Sequence, residues 1–430
     1  MPNVLFVTRI LCSLATAVAL LSVATPARAQ PLDALTLNEA LRLAAERSQH
    51  LIAQAAAATS AREMAVAAGQ PPDPVLTAGI SNLPINGPDH FSLTRDFMTM
   101  RSIGLMRELT RHDKRDARAA RFTREAEAAE AGGTLALANL QRETAVAWLD
   151  RHYQERMRGV LVAQRDEAAL QIEAADLAYR SGLGSQSDVF AARSSVVTIE
   201  DRIAETDRKI EVATTHLGRW IGPAASRPLA DLPATDVVSL HAADLDAQIA
   251  HHPQIALMVK QEEVARADAE LARTNKRSDW NVEVMYSQRG PDFSDMVSVN
   301  VSKPLQWRER NKQDRELTAQ LAIAAQLRAE REEETRMHSA EARVLLQTWQ
   351  SNRDRLRRYT DSLVPLAGER TRAATAAYRG GTGGLSDVLE SRVGEIETRL
   401  DHLLLEMQTA QLWAELTYLL PAGHDTAAHE

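Results

Sequence analysis

Asp387 and Glu390 stand three residues apart in the stretch LSDVLESRVGEI, whose apolar spacing is helical, so both carboxylates fall on one helix face. Crowded carboxylates repel one another unless they are paired, protonated or neutralised by cations. Repeated around one axis, such a pair would make an acidic constriction that selects cations; on an isolated helix it is ordinary solvated surface. Two softer candidates accompany it. His251 and His252 are adjacent, and Met98 and Met100 share a strand parity with Met106 nearby. Thioethers suit Cu(I) or Ag(I), yet strand methionines serve equally as packing or lipid contacts, so neither a metal site nor a cofactor is assigned. No phosphate loop, HExxH or GxSxG occurs. The single cysteine, Cys12, lies in an N-terminal apolar run, which leaves no thiol chemistry for the rest of the chain. The residues describe a conduit or a scaffold rather than an enzyme.

The elements that must position the acidic pair are set by a repeat. Residues 178–193 read AYRSGLGSQSDVFAAR and residues 377–392 read AYRGGTGGLSDVLESR, with nine of sixteen positions identical. A duplicated segment moves attention to the single repeat unit. Each copy lies between two long helical patterns and so forms the tip of a helical hairpin. Gly182, Gly184, Gly381 and Gly383 permit a tight reversal. Ser187 and Ser386 are placed to cap the returning helices, and Asp188 and Asp387 favour the positive helix start. Either the motif is only a good turn, or its duplication reflects a surface that must be kept.

Arg9, the apolar run 10–23 and Ala27-Arg28-Ala29 predict a signal peptide over residues 1–29, cut before Gln30. Removing its two arginines shifts the net charge from −8 to −10, which argues against a nucleic-acid partner. No later stretch is long and apolar enough for a transmembrane helix. Residues 30–221 form the first unit, 222–239 a linker with three prolines, 240–420 the second unit, and 421–430 a disordered tail. Within each unit a helix (36–69; 240–277) precedes two short strands, at 75–83 and 93–106, then at 280–288 and 295–303. Strict alternation of Trp280, Val282, Val284 and Tyr286 against Asn281, Glu283, Met285 and Ser287 makes the third strand greasy on one face and polar on the other. Long helices from Thr110 to Arg180 and from Glu309 to Arg379 then lead to tips at 179–188 and 378–387. Trp148 and Trp349 read as core. A seam of Leu345, Trp349, Leu356, Tyr359, Leu363 and Leu366 continues along the second long helix. Trp280 and Trp307 read either as interfacial anchors or as plain packing.

Four strands per chain cannot close a barrel, and a sheet with bare edges cannot sit in lipid. Three chains would supply twelve strands, an even closed number, above a hollow cylinder of helices. The expected fold is mainly α with a small β part: a trimer carrying a twelve-stranded outer-membrane barrel on a coiled-coil barrel, with an internal two-fold repeat. In that trimer Asp387 and Glu390 would place six carboxylates around one opening.

At this point the chain resembles the TolC family of outer-membrane efflux proteins. The tips and the placement of two strand pairs carry the resemblance, and the run NLPINGPDHFSLTRDFMTMRSIG (82–104) is similar to the heavy-metal branch of CzcC and CusC. The resemblance implies a homotrimer in the outer membrane of a Gram-negative bacterium, in contact with its lipid. It would be the exit duct of a pump completed by a periplasmic adaptor (a membrane fusion protein) and an inner-membrane transporter of the resistance-nodulation-division type. It implies that Tyr378, Asp387 and Glu390 close the periplasmic end. It also implies that Tyr179, Arg180, Gly182, Gly184, Ser187, Asp188, Val189, Arg379, Gly381, Gly383, Ser386 and Val388 meet the adaptor. Gly383 stands where the family carries a tip arginine. Heavy-metal cations are the implied cargo. A duct for drugs or secreted polypeptides, and a periplasmic coiled-coil adaptor or scaffold without a channel, are the alternatives.

Overall fold

The computed structural model describes residues 34–241 and 244–419; the expected signal peptide and tail lie outside them. Thr36 caps the first helix, α1 (Leu37–Arg47), by accepting from the Glu39 N–H at 3.2 Å. The long first helix expected from the sequence is broken at Ser48. Its side chain accepts from Leu51 N and starts α2 (Gln49–Ala68). After β1 (Val75–Ser81) and β2 (Met100–Leu109) comes α3 (His112–Arg180). Its 69 residues make a rod roughly 100 Å long, and Gly132-Gly133 do not interrupt it. The return helix α4 (Gln186–Ile221) completes the first hairpin.

The second half begins with α5 (Leu245–Ile249) and α6 (Pro253–Thr274), shorter than the helix expected from 240 to 277 because Pro253 occupies the first helical turn. Strands β3 (Trp280–Gln288) and β4 (Met296–Ser302) follow, then α7 (Gln313–Arg358), a π turn (Tyr359–Leu363), α8 (Val364–Arg379) and α9 (Leu385–Thr417). β2 begins later than expected. Residues 82–99 form a loop in which Asp96 accepts from the backbone of Met98 and Thr99, so Met98 is not on the strand.

The four strands form one antiparallel sheet in the order β1-β2-β3-β4, with β2 paired to β3 across the two halves of the chain. Its outer strands are each paired on one side only. The register stacks Leu76, Leu105, Val284 and Val299 across one face, and Ala78, Ile103, Tyr286 and Val297 beside them. The large side chains of this face are exposed. The opposite face carries Thr77, Glu283, Ser298 and Asn300, and there Glu283 accepts from Asn300 and Thr77 at 3.4 and 3.5 Å. A side chain at Gly104, which lies on this face, would meet Thr77 Oγ1 at 2.8 Å.

The main core gathers Leu35, Trp148, Tyr153, Leu217, Trp349 and Trp413 midway along the rods. The expected linker is a strap over that core. Leu35 bridges Leu229, and Trp413 Nε1 donates to the Val237 carbonyl at 2.9 Å. Smaller clusters continue toward the tips.

The π turn corrects the expected seam. Leu363 and Leu366 are exposed, while Val364 and Ala367 are partly covered and Thr371 is buried. A π turn inserts one residue into the helix. The inward row therefore steps by five from Tyr359 to Val364 and rotates Leu363 and Leu366 off the seam. Pro365 lies just beyond the turn, whose extra residue relieves the clash between the proline ring and the preceding helix.

Candidate functional site

Both tips reverse by the same device. Gly182 and Gly381 take positive φ, 76° and 71°, and the backbone N–H groups of Gly184 and Gly383 donate to the carbonyls of Ala178 and Ala377. A side chain on Gly184 or Gly383 would come within 3.0 Å of the Cβ of Ala178 or Ala377, so these glycines serve close approach.

The caps differ from expectation. Ser185, not Ser187, caps α4, and its partner is Asp188. The Asp188 N–H donates to Ser185 Oγ at 3.2 Å, and the Ser185 N–H donates to Asp188 Oδ2 at 2.9 Å. The Ser185 backbone N–H holds the Asp188 carboxyl below its ordinary range. In the second tip Gly384 takes the capping position, Ser386 lies inside α9, and the Gly384 N–H donates to Asp387 Oδ2 at 3.2 Å.

This geometry bears on the acidic pair. Asp387 and Glu390 are both exposed, but Asp387 is spent on its own helix start. Glu390 pairs with Arg370 Nη2 at 2.9 Å across the hairpin. One step further, Thr371 Oγ1 donates to the Ser391 carbonyl at 3.1 Å. Tyr378 packs against a cluster of Ala175, Val189, Ala192, Leu385 and Val388, which joins the two hairpins. Tyr179, its counterpart, is 46% exposed. Arg180 pairs with Asp176 at 2.7 Å.

Arg392 is the residue that sequence reasoning missed. Its counterpart Arg193 is exposed, yet Arg392 is buried between α9 and α3. It donates to Gln164 Oε1 at 3.1 Å and Glu167 Oε2 at 2.6 Å, and the Gln171 amide, turned so that its oxygen faces the guanidinium, would accept as well at 2.9 Å. Arg370 was findable: Arg370 and Glu390 lie equally far from Gly380 at the turn, which is where partners in a hairpin fall.

At the other end of the rods, Asp279 ties sheet to helix. Its carboxylate accepts from the Arg111 N–H at 3.1 Å and from Lys114 Nζ at 2.7 Å. Burial alone would raise this carboxyl; the Lys114 ammonium and the Arg111 N–H overcome burial and hold it below its usual range.

The helices do not close on themselves. α4 packs on α3, α3 also on α9, and α9 on α7 and α8. The outer flanks of this layer expose Phe190 and Val197 on α4, and Val344, Leu363 and Leu366 on the opposite side. Among the described residues no cluster of three or more metal-ligating side chains occurs, and no helix is long and apolar enough to cross a membrane.

No family model and no curated protein sequence matches the chain. Solved structures do. The outer membrane protein VceC of Vibrio cholerae matches with a TM-score of 0.73 at 18% identity, over 89% of this chain and 95% of that one. The CmeC outer membrane channel of Campylobacter jejuni matches with a TM-score of 0.73 at 13% identity, over 89% and 85%. CusC, which forms a transmembrane channel, matches with a TM-score of 0.72 at 16% identity, over 89% and 92%. The likeness is one of fold, and at that level the resemblance read from the tips and strands holds; CmeC and CusC, which share this fold, are channel proteins.

Proposed function

We propose that this chain, which carries the fold of those outer-membrane channels, is one protomer of a TolC-type exit duct. Three copies would close a twelve-stranded barrel in the outer membrane, with the helices forming a duct into the periplasm. The observation that carries this reading is the open sheet at the end of roughly 100 Å rods. It has two half-paired edges and a face of exposed Leu, Ile and Val. Unpaired backbone is not tolerated in lipid, and in water an apolar sheet with bare edges invites further strand pairing. Pairing β4 of one copy with β1 of the next removes both edges and turns the greasy face outward, while Glu283, Thr77 and Asn300 line the lumen. The same operation covers the flanks of α4 and of α7–α8. A periplasmic scaffold without a channel would leave the sheet's apolar face in water.

In this reading the duct ends a three-part efflux system, with a periplasmic adaptor on the tips and an inner-membrane resistance-nodulation-division transporter behind it. Tyr378, Asp387 and Glu390 belong to the closing end, and the residues from Tyr179 to Val189 and from Arg379 to Val388 to the adaptor contact. The Glu390–Arg370 pair supports a gate held by a breakable ion pair. Heavy-metal cations are the proposed cargo, supported by the 82–104 segment and by CusC being one of several channels of like fold. Deleting the gene and comparing sensitivity to copper, silver, zinc, cobalt and cadmium with sensitivity to antibiotics tests the cargo. Antibiotic sensitivity alone would replace it with a drug duct. Trimers absent from outer-membrane fractions would refute the channel itself.

A further inference from the structure

We propose that residues 303–312, KPLQWRERNK, bind the phosphate of an anionic glycerophospholipid at the helix-side rim of the barrel, a role that rests on the outer-membrane reading above. The segment follows directly on β4. Val297, Val299 and Val301 point to the greasy face, and Lys303, Leu305 and Trp307 follow beyond the strand's end at Ser302, all exposed. Lys303 Nζ sits 5.0 Å from the centre of the Trp280 ring, and Trp280 pairs in register with Leu109 on that face. Gln306 turns inward and donates to the Asn275 carbonyl at 3.0 Å. Leu305 and Trp307 are therefore held outward, 70% and 85% exposed. An indole so exposed beside an aliphatic row suits the membrane–water boundary, where its ring is covered and its N–H stays wet.

The charges beside it select the lipid. Arg308, Arg310 and Lys312 are exposed, and none has an ion pair among the described residues. Glu309, the only acid among them, is already taken by Lys276 at 3.3 Å. Three free cations on a chain of net charge −8 form a local positive site next to an apolar anchor. Acyl chains would lie along Val301 and Leu305, the indole of Trp307 would cover the glycerol region, and the guanidinium groups would reach the phosphate. Closure of a barrel through the backbone edge of β4 would leave this outward surface open.

The test uses the full trimer purified in detergent, with retained lipid counted by native mass spectrometry after equimolar phosphatidylglycerol and phosphatidylcholine are added. Wild type should retain phosphatidylglycerol about fivefold over phosphatidylcholine. R308Q/R310Q/K312Q should bring that ratio to about one. Trp307→Ala should lower retention of both lipids, with trimer and bilayer conductance unchanged. Equal retention by wild type, or a preference that survives the triple substitution, overturns the proposal while a conducting trimer keeps the channel reading intact. Release of monomers by Trp307→Ala with lipid retention unchanged also overturns it and marks the segment as a subunit contact. A chain that never trimerises overturns both readings.

Discussion

His252 makes the start of α6 sensitive to acid. Its Nδ1 accepts from the Gln254 N–H at 3.2 Å, so the cap requires an imidazole unprotonated at that nitrogen. The ring stacks on His338 at 4.5 Å. Burial, then His338 and Arg142, push it down to about 4. The unfolded chain therefore binds the proton first. The stabilisation is complete above the ordinary histidine range and is lost as pH falls toward the folded value. Between about pH 6.5 and 4 the protein should lose on the order of 2 kcal/mol, read from denaturation midpoints across that range. His252→Asn, a cap that does not titrate, should flatten the slope. Asp279→Asn should cost about 2 kcal/mol by leaving the half-buried Lys114 without its anion, with the loss appearing as early melting of the sheet in hydrogen exchange. Single residues were the least legible scale in the sequence. Arg392 and Arg193 are identical letters in matching frames, and only tertiary placement buries the first among Gln164, Glu167 and Gln171. Ser185 stands just before α4 and Ser187 in its first turn, and helix phase alone decides which one caps it.

Among the elements, the π turn separates two seams that a continuous α-helix cannot both satisfy. Leu345, Trp349 and Asn352 face inward above it; Val364, Ala367 and Thr371 do so below. Deleting Thr360 restores ordinary helical spacing between these rows but places Pro365 in a plain helix. The deletion alone should therefore destabilise the second hairpin by about 3 kcal/mol. Combined with Pro365→Ala it should be tolerated, as thermal melting followed by circular dichroism would report. A heptad reading extends the upper seam to Leu363 and Leu366 because nothing before Pro365 announces the added residue. β3 was legible to the residue because its alternation is strict. The start of β2 was not, because residues 93–99 are organised by local side-chain caps from Ser92 and Asp96 instead of by a period.

For the whole molecule the sharpest expectation concerns closure. With no cysteine after Cys12, introduced thiols would have no native competitors. Val299→Cys combined in turn with Leu76→Cys, Ala78→Cys and Ile80→Cys should, for the pair in register, give an oxidised ladder that stops at three subunits on a denaturing gel. A ladder without end would mean an open filament, and none at all would mean edges that never meet. The plan of the single chain, a small antiparallel sheet on long helical hairpins, was legible because strand alternation, helix length and the tip motifs each limit it independently. Which flank of the helical layer stays bare was not, because that depends on the lateral order of rods. Those rods also differ in continuity. α3 runs unbroken from sheet to tip, whereas its partner path through α7 and α8 is jointed at residues 359–363. The first hairpin should then act as a fixed mast and the second as a hinged boom. Any swing that widens the mouth would be carried by the arm that bears Glu390.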